Sequence, residues 1–289
     1  MGLQVIKDYR DNDNYRRSFN ELAGLVFGID FEGWYQMGGW NENYLCYSCL
    51  DAGKVVANVS VNKMDLVWEG KRTKALQVGT VMTHPEYRGL GLATRLMQEV
   101  LRDYSGTYPY IYLFAHEGAA GFYSQFGFIP LEEKRFSLKI DGRGKKPSGL
   151  DRLNITNAED FKTLERLIAS RVPVSPVLGV ENDRHLLFFH CLHSFSNHLH
   201  YWWEQDALVL YEGEGSLLHL YDVISQNPIN LRNLFKKIIP AQEVTVVFHF
   251  TPDLDGITKE SSDTGDIFFI KPKPQGLARD FVFPTTSRA

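Results

Sequence analysis

The residues with the plainest chemical use lie in the run THPEYRGLGLA, residues 83–93. Gly89 and Gly91 bracket a tight turn, where missing side chains let a ligand approach the backbone closely. The turn feeds a helix, because Ala93, Leu96, Met97, Val100, Leu101 and Tyr104 recur at helical spacing. Arg95, Gln98, Glu99, Arg102 and Asp103 make up the other face. The N-terminus of such a helix carries unpaired N–H groups and the positive end of the helix dipole. It is therefore an anion site, suited to a phosphate or pyrophosphate. In front of the turn, Leu76 to Thr83 is apolar and β-branched enough for an internal strand. Pro85 forces His84 to be extended and ends that strand.

Two phosphate-binding schemes fail on these residues. A Walker-type loop needs a lysine beside a Ser or Thr at its end, and this chain has Leu92-Ala93-Thr94 there. A dinucleotide fold needs a third small residue after G-x-G, where Thr94 stands, and a βαβ context in place of the antiparallel strands that precede.

The elements around the turn make that context explicit. A strand near Leu3 to Ile6 is followed by a helix over Asn14 to Val26, with Phe19, Leu22, Ala23 and Val26 on its apolar face. Residues 27–40, FGIDFEGWYQMGGW, are rich in aromatics and glycine without clean periodicity. They suit a loop or short helix that closes the core. Phe31, Trp34, Tyr35, Asp30 and Glu32 equally suit a pocket wall for a cationic amine. Tyr44 to Leu50, Lys54 to Leu66 and Arg72 to Thr83 read as three antiparallel strands joined by hairpin turns. Cys46 and Cys49 form a C-x-x-C, but residues three apart in a strand point to opposite faces, so the sulfurs diverge. After the turn and its helix, Tyr110 to Ala115 is a buried strand reached by a crossover and is expected to pair parallel to the one before. A short helix around Ala119 to Phe126 follows, and Phe128 to Pro130 with Lys134 to Ile140 are expected to complete the sheet.

With these elements in place, THPEYRGLGLA resembles the acetyl-coenzyme A loop of the GNAT N-acetyltransferase superfamily, whose signature is Q/R-x-x-G-x-G/A. From Arg88 the match is Arg88-Gly89-Leu90-Gly91-Leu92-Ala93. In the alternative register, with Gly89 and Gly91 as the signature glycines, Glu86 holds the first place and departs from the pattern. The run Ala119 to Phe128, AAGFYSQFGF, is similar to the family's A-x-x-F-Y-x-x-x-G-F segment. The resemblance covers most of residues 1–140. It implies an α/β (α+β) GNAT acyltransferase fold, a mixed sheet with a central splayed parallel pair. It implies acetyl-CoA as co-substrate and an amine-bearing acceptor. It further implies that backbone groups of Val81, Met82 and Thr83 hold the pantetheine arm and that Arg88, Gly89, Leu90, Gly91, Leu92, Ala93 and Thr94 hold the pyrophosphate. Tyr123 falls where the family places the acid that protonates the departing thiolate. A phenol can do so within hydrogen-bond reach; the plainer role is packing against Phe122 and Phe126. The base is not legible: His116, Glu117, Asp30 and Glu32 are the candidates.

The glycine-rich, charged segment 141–149 reads as a linker. Residues 150–289 then repeat the order meander, helix, apolar strand, but the bend Ser225-Gln226-Asn227-Pro228 has neither glycine nor arginine. They are expected to be a degenerate GNAT-like second domain following the active domain of residues 1–140. The tandem plan is similar to the enhanced-intracellular-survival family, whose further sterol-carrier-like domain has no room in a chain of 289 residues. His185, His190, His193, His198 and His200 sit among aromatics without a recognisable ligand spacing, so packing is expected and no metal. A net charge of −4 excludes a nucleic-acid scaffold or a basic membrane surface. Neither a membrane-length apolar run nor a signal-peptide pattern is visible, and three cysteines suit reduced thiols, so a cytoplasmic protein is expected. Two rival readings are a non-catalytic acyl-CoA sensor and a protein-interaction module built on the aromatic second half. The oligomeric state is not legible.

Overall fold

The computed structural model describes residues 2–142, 149–261, 265–274 and 280–289. In the first half the order is β1 (Gln4–Lys7), α1 (Asp13–Phe27), α2 (Glu32–Gln36), β2 (Tyr44–Asp51), β3 (Lys54–Trp68), β4 (Lys71–Thr83), α3 (Leu92–Asp103), β5 (Tyr110–His116), α4 (Ala120–Ser124), β6 (Ile129–Leu131) and β7 (Lys134–Ile140). The second half supplies β8 (Asp151–Arg152), α5 (Ala158–Ala169), β9 (Leu178–Glu181), α6 (Arg184–Leu192), β10 (Leu199–Trp202), β11 (Ala207–Glu214) and β12 (Leu217–Ser225). It ends with α7 (Leu231–Ile238), β13 (Val244–Phe248), β14 (Thr258–Ser261) and β15 (Asp266–Lys271). The expected linker, 141–149, lies mostly outside the described residues.

The predicted local elements form where the patterns placed them. Asn12 caps α1 by accepting from the backbone N–H groups of Asn14 and Tyr15, and Asn157 caps α5 in the same way. Helix α3 buries Leu92, Leu96, Met97 and Val100 against one face of the first sheet. On the other face, α1 and α2 place Phe19, Leu22 and Trp34 in a core shared with Leu164, Leu187 and Phe188 of the second half. Cys46 belongs to the core under α1 and Cys49 to the core under α3, so the two sulfurs lie on opposite sides of the sheet as alternation requires.

Strand pairing departs from the expected plan. Lys134–Ile140 does not complete the first sheet. Strand β7 leaves it and pairs antiparallel with β13, from Val244↔Ile140 to Phe248↔Phe136. Its place beside β5 is taken by β15, which pairs antiparallel with β5 on one side and β6 on the other. The first sheet therefore runs β1-β2-β3-β4-β5-β15-β6, with β9 added along β3, and the second runs β14-β7-β13-β12-β11-β10-β8. Each sheet holds one parallel pair, β4–β5 and β12–β13. Beside each parallel pair lies a strand contributed by the opposite half. The fold is a tandem of two mixed α/β layers, laced together by this reciprocal exchange.

The exchange makes a testable demand. Without β15, strand β5 has an open edge and β6 has lost its partner. Residues 1–142 expressed alone are expected to show no cooperative melting transition by circular dichroism, whereas the complete chain melts cooperatively. A cooperative melt of 1–142 would show that the exchange is dispensable.

Candidate active site

The site is built where β4 parts from β5. The two strands pair only from Ala75↔Tyr110 to Val78↔Leu113. Beyond that point β4 carries an extra residue relative to β3, since Asn58 faces Met82 while Ser60 faces Gly79. Such a bulge bends its strand and re-aims the backbone. Thr80 occupies it with φ of 48°, an uncommon conformation for a β-branched residue. Two buried partners hold it: Asn58 Nδ2 donates to the Thr80 carbonyl at 2.9 Å, and the Tyr44 and Thr80 hydroxyls hydrogen-bond at 2.9 Å. The β5-facing backbone of Gly79 to Thr83 is thereby turned away from its ladder and left open for another partner.

A cavity of about 520 Å³ opens in this splay. Its lining includes Gly79, Thr80, Val81, Ala93, Ala119 and Tyr123 together with Phe31, Trp34, Leu186 and Phe189. Ala93 lies in the first turn of helix α3. Gly91 is its N-cap, with φ of 73° and no side chain to cap the amides. The first-turn N–H groups thus lack an intrahelical and a side-chain acceptor. Arg88, Gly89, Leu90 and Gly91 are exposed, with Leu90 at 62%.

The ring of Tyr123 packs against Phe122 (5.0 Å between centroids), Phe269 (6.0 Å) and Phe128 (6.4 Å). Phe126 packs on Phe122 and not on Tyr123. The Tyr123 hydroxyl makes no hydrogen bond to another described residue, and burial pushes it up to about 12. It is protonated throughout the neutral range and can act only as an acid there.

Arg288 and Ala289, far away in sequence, also line the cavity. Gln77 Nε2 donates to the Ser287 carbonyl at 2.8 Å, and the Ala289 amide donates to Gln77 Oε1. A Cβ at position 79 would meet the Ala289 Cβ at 2.7 Å, so glycine is what lets this segment reach the cleft. Ser287 Oγ donates to Asp183 at 2.6 Å, and Thr286 Oγ1 donates to Asp222. Arg171 lies between those two carboxylates, 2.5 Å from Asp183 and 2.8 Å from Asp222, with all three side chains buried. Arg288 donates to Glu133 at 2.8 Å with its guanidinium 4.4 Å from the Phe114 ring centroid.

Of the site residues expected from sequence, Val81, Ala93 and Tyr123 line the cavity. Met82 is turned into the core under α1, so only its backbone remains on the cleft side. Thr83, Arg88 to Leu92 and Thr94 lie outside the lining, along the strand end and the turn. Among the four candidate bases, His116 lines the cavity. Glu32 is bound to Arg16 at 2.8 Å, a hydrogen bond that holds its carboxyl below the ordinary value, and Asp30 accepts the Glu32 amide at 2.6 Å. Both carboxylates of the aromatic segment therefore have structural work. His185 is fully buried, bonded to Asn62 at 3.0 Å, and burial pushes its imidazole down to about 4. His190 lines the cavity with Nε2 2.7 Å from the Arg288 carbonyl. Sequence reasoning missed Gly79, Asp266, Leu186, Phe189, Arg288 and Ala289. A glycine inside an apolar strand was a usable sign of a bulge or close approach; the others carry no local signal.

Residues 12–130 match the family model described as an acetyltransferase (GNAT) domain. The splay of β4 and β5 lies within this matched stretch, which covers less than half of the chain. No curated protein matches the sequence. Solved structures match across both halves of the chain. A GCN5-related N-acetyltransferase from Kribbella flavida is 16% identical with a TM-score of 0.55, over 93% of this chain and 71% of that one. Eis1 from Mycobacterium abscessus is 14% identical with a TM-score of 0.57, over 93% and 72%. At such identities the likeness is one of fold, and it extends the GNAT plan beyond residue 130 into the second half.

The open N-terminus of α3 depends on Gly91 adopting a left-handed conformation. Gly91→Val forces a β-branched residue there, at a cost of about 1–2 kcal/mol. Acetyl-CoA binding measured by calorimetry is expected to weaken by about tenfold or more. Unchanged affinity would place the pyrophosphate elsewhere.

Proposed function

We propose that this GNAT domain transfers the acetyl group of acetyl-CoA to a primary amine. The observation that carries the reading is a single cavity lined by both Ala93, in the first turn of the uncapped helix α3, and Tyr123. The pyrophosphate would lie on the amides of Arg88 to Thr94, where the helix dipole favours negative charge. The pantetheine arm would run along Val81, Met82 and Thr83, continuing the ladder that β5 abandons at Val78.

The chemistry follows from this placement. The neutral amine attacks the thioester carbonyl, a C–N bond forms, the C–S bond breaks, and the thiolate takes the Tyr123 proton. The proton lost by the acceptor nitrogen leaves toward His116 at the cavity edge or toward solvent, and Tyr123 is reprotonated from solvent. Open backbone amides beside the bulge are suited to polarise the carbonyl. Pushed up by burial to about 12, the phenol is in its protonated form when the thiolate departs.

Tyr123→Phe removes the proton and keeps the ring packed on Phe122 and Phe269. It is expected to lower kcat by about 10²–10⁴-fold with little change in the KM for acetyl-CoA. The readout is release of coenzyme A thiol. Full activity in the variant would remove Tyr123 from the chemistry and leave it as a packing residue.

A further inference from the structure

We infer that the acceptor is a small monoamine whose amino group is carried on an aromatic or bulky apolar body; this rests on the N-acetyltransferase reading above. Part of the cavity lining is an aromatic wall held by its own packing. Phe189 stacks on Phe31 at 5.4 Å with 22° between ring planes and meets Trp34 edge-on at 5.9 Å. Phe31 and Trp34 are only 7% and 1% exposed, and Trp34 Nε1 donates to the His185 carbonyl at 2.9 Å. Leu186 completes this wall from α6. The first and second halves thus share in forming it.

The charges on the lining point the same way. Asp266 is the one carboxylate side chain among the described lining residues, and Arg288 is the one guanidinium. The carboxylates nearby are held by other groups, Glu32 by Arg16 and Glu133 by Arg288. Among the described residues the lining therefore offers a single carboxylate side chain, too few to match several ammonium groups. A polyamine would have to strip water from each of its charges against phenyl and indole rings, which is unfavourable without partners. A single ammonium faces a lesser demand, since aromatic faces attract one cation and apolar walls accept the rest of the molecule.

Such a wall also assists the reaction. Removing water from an ammonium disfavours its charged form, so the apolar wall shifts the acceptor toward the neutral nucleophile. This reduces the need for a strong dedicated base, consistent with the candidate carboxylates Asp30 and Glu32 having structural partners. The cavity of about 520 Å³ is in the range of small-molecule sites and must also admit the acetyl thioester. That leaves room for an acceptor the size of an arylalkylamine.

The test measures coenzyme A release from acetyl-CoA with 2-phenylethylamine, tryptamine, spermidine, an aminoglycoside and a lysine peptide, alongside the melting shift given by acetyl-CoA alone. The expected result is a kcat/KM for the aryl monoamines at least about tenfold above the other three acceptors. Phe189→Glu is expected to reverse that ranking in favour of spermidine. Phe189→Leu, which keeps an apolar residue in place, is expected to lower the aryl preference several-fold, as judged by the same ratio. Equal or better turnover of spermidine, the aminoglycoside or the peptide overturns the inference. So does preferential use of octanoyl-CoA with no discrimination among amines, which would assign the apolar wall to the acyl chain. A melting shift with acetyl-CoA and no turnover of any amine overturns the acceptor assignment alone. Absence of any shift removes the acetyl-CoA reading beneath it.

Discussion

The separation of β4 from β5 governs everything else in the site. A parallel pair with normal pleating would satisfy its own backbone and leave no polar edge for a ligand. Here one extra residue in β4 breaks the pairing at Val78↔Leu113. A threonine at φ of 48° is expensive locally, on the order of 1–3 kcal/mol, and persists only where its surroundings dictate it. Asn58 and Tyr44 provide that constraint from the buried face of the sheet. Asn58 is in turn hydrogen-bonded to Ser48 and Ser60, so the bulge is fixed by a polar network inside an otherwise apolar layer. The splay is consequently set within the sheet, and residues of α6 and of the final segment complete the cavity around it.

The second constraint is mutual dependence of the halves. Strand β15 brings Phe269 to the ring of Tyr123, so a residue of the second half packs the proposed acid of the first. The segment after it returns through the cleft, where Phe283 packs on Tyr112 and Phe114. Asp183 and Asp222 lie on different elements of the second half and would repel in a dry interior. Arg171 between them compensates both charges, and the two hydroxyls of Thr286 and Ser287 supply further hydrogen bonds. A buried ion pair of this kind contributes little net stability compared with apolar packing, but losing one partner strands a charge. Its consequence is positional: it ties the segment lining the cavity to the second half.

Much of this was legible in local pattern. The meander, the glycine turn and the crossover helix follow from periodicity and glycine placement, and the stretch bearing Tyr123, which lines the cavity, was singled out by the family resemblance. The failure of Lys134–Ile140 to complete the first sheet could not have been read that way. The alternation in β7 and the apolar run in β15 each specify a strand, but neither specifies a sheet, and the partner is chosen by contacts more than a hundred residues distant. The aromatic segment 27–40 was open between core and pocket wall, and it serves both: Trp34 is buried in the core and lines the cavity. Phe189 and Arg288 had no signal, because what makes them site residues is the docking of α6 and the final segment against the splay.

The absence of a glycine turn in the second half has a structural counterpart. Helix α7 stands where α3 stands in the first half, after a strand of a parallel pair. Its N-cap is Asn230, whose side chain accepts from the amides of Arg232 and Asn233. Those are the donors that Gly91 leaves open on α3. The adjoining strand end is also occupied, since the Val172 amide donates to the Ser225 carbonyl at 2.8 Å. The chain thus satisfies with its own groups polar positions that the first half leaves open. A helix N-terminus can serve as an anion site only while its amides lack internal partners, so of these two helices, each set between the strands of a parallel pair, α3 has the open end and α7 the closed one.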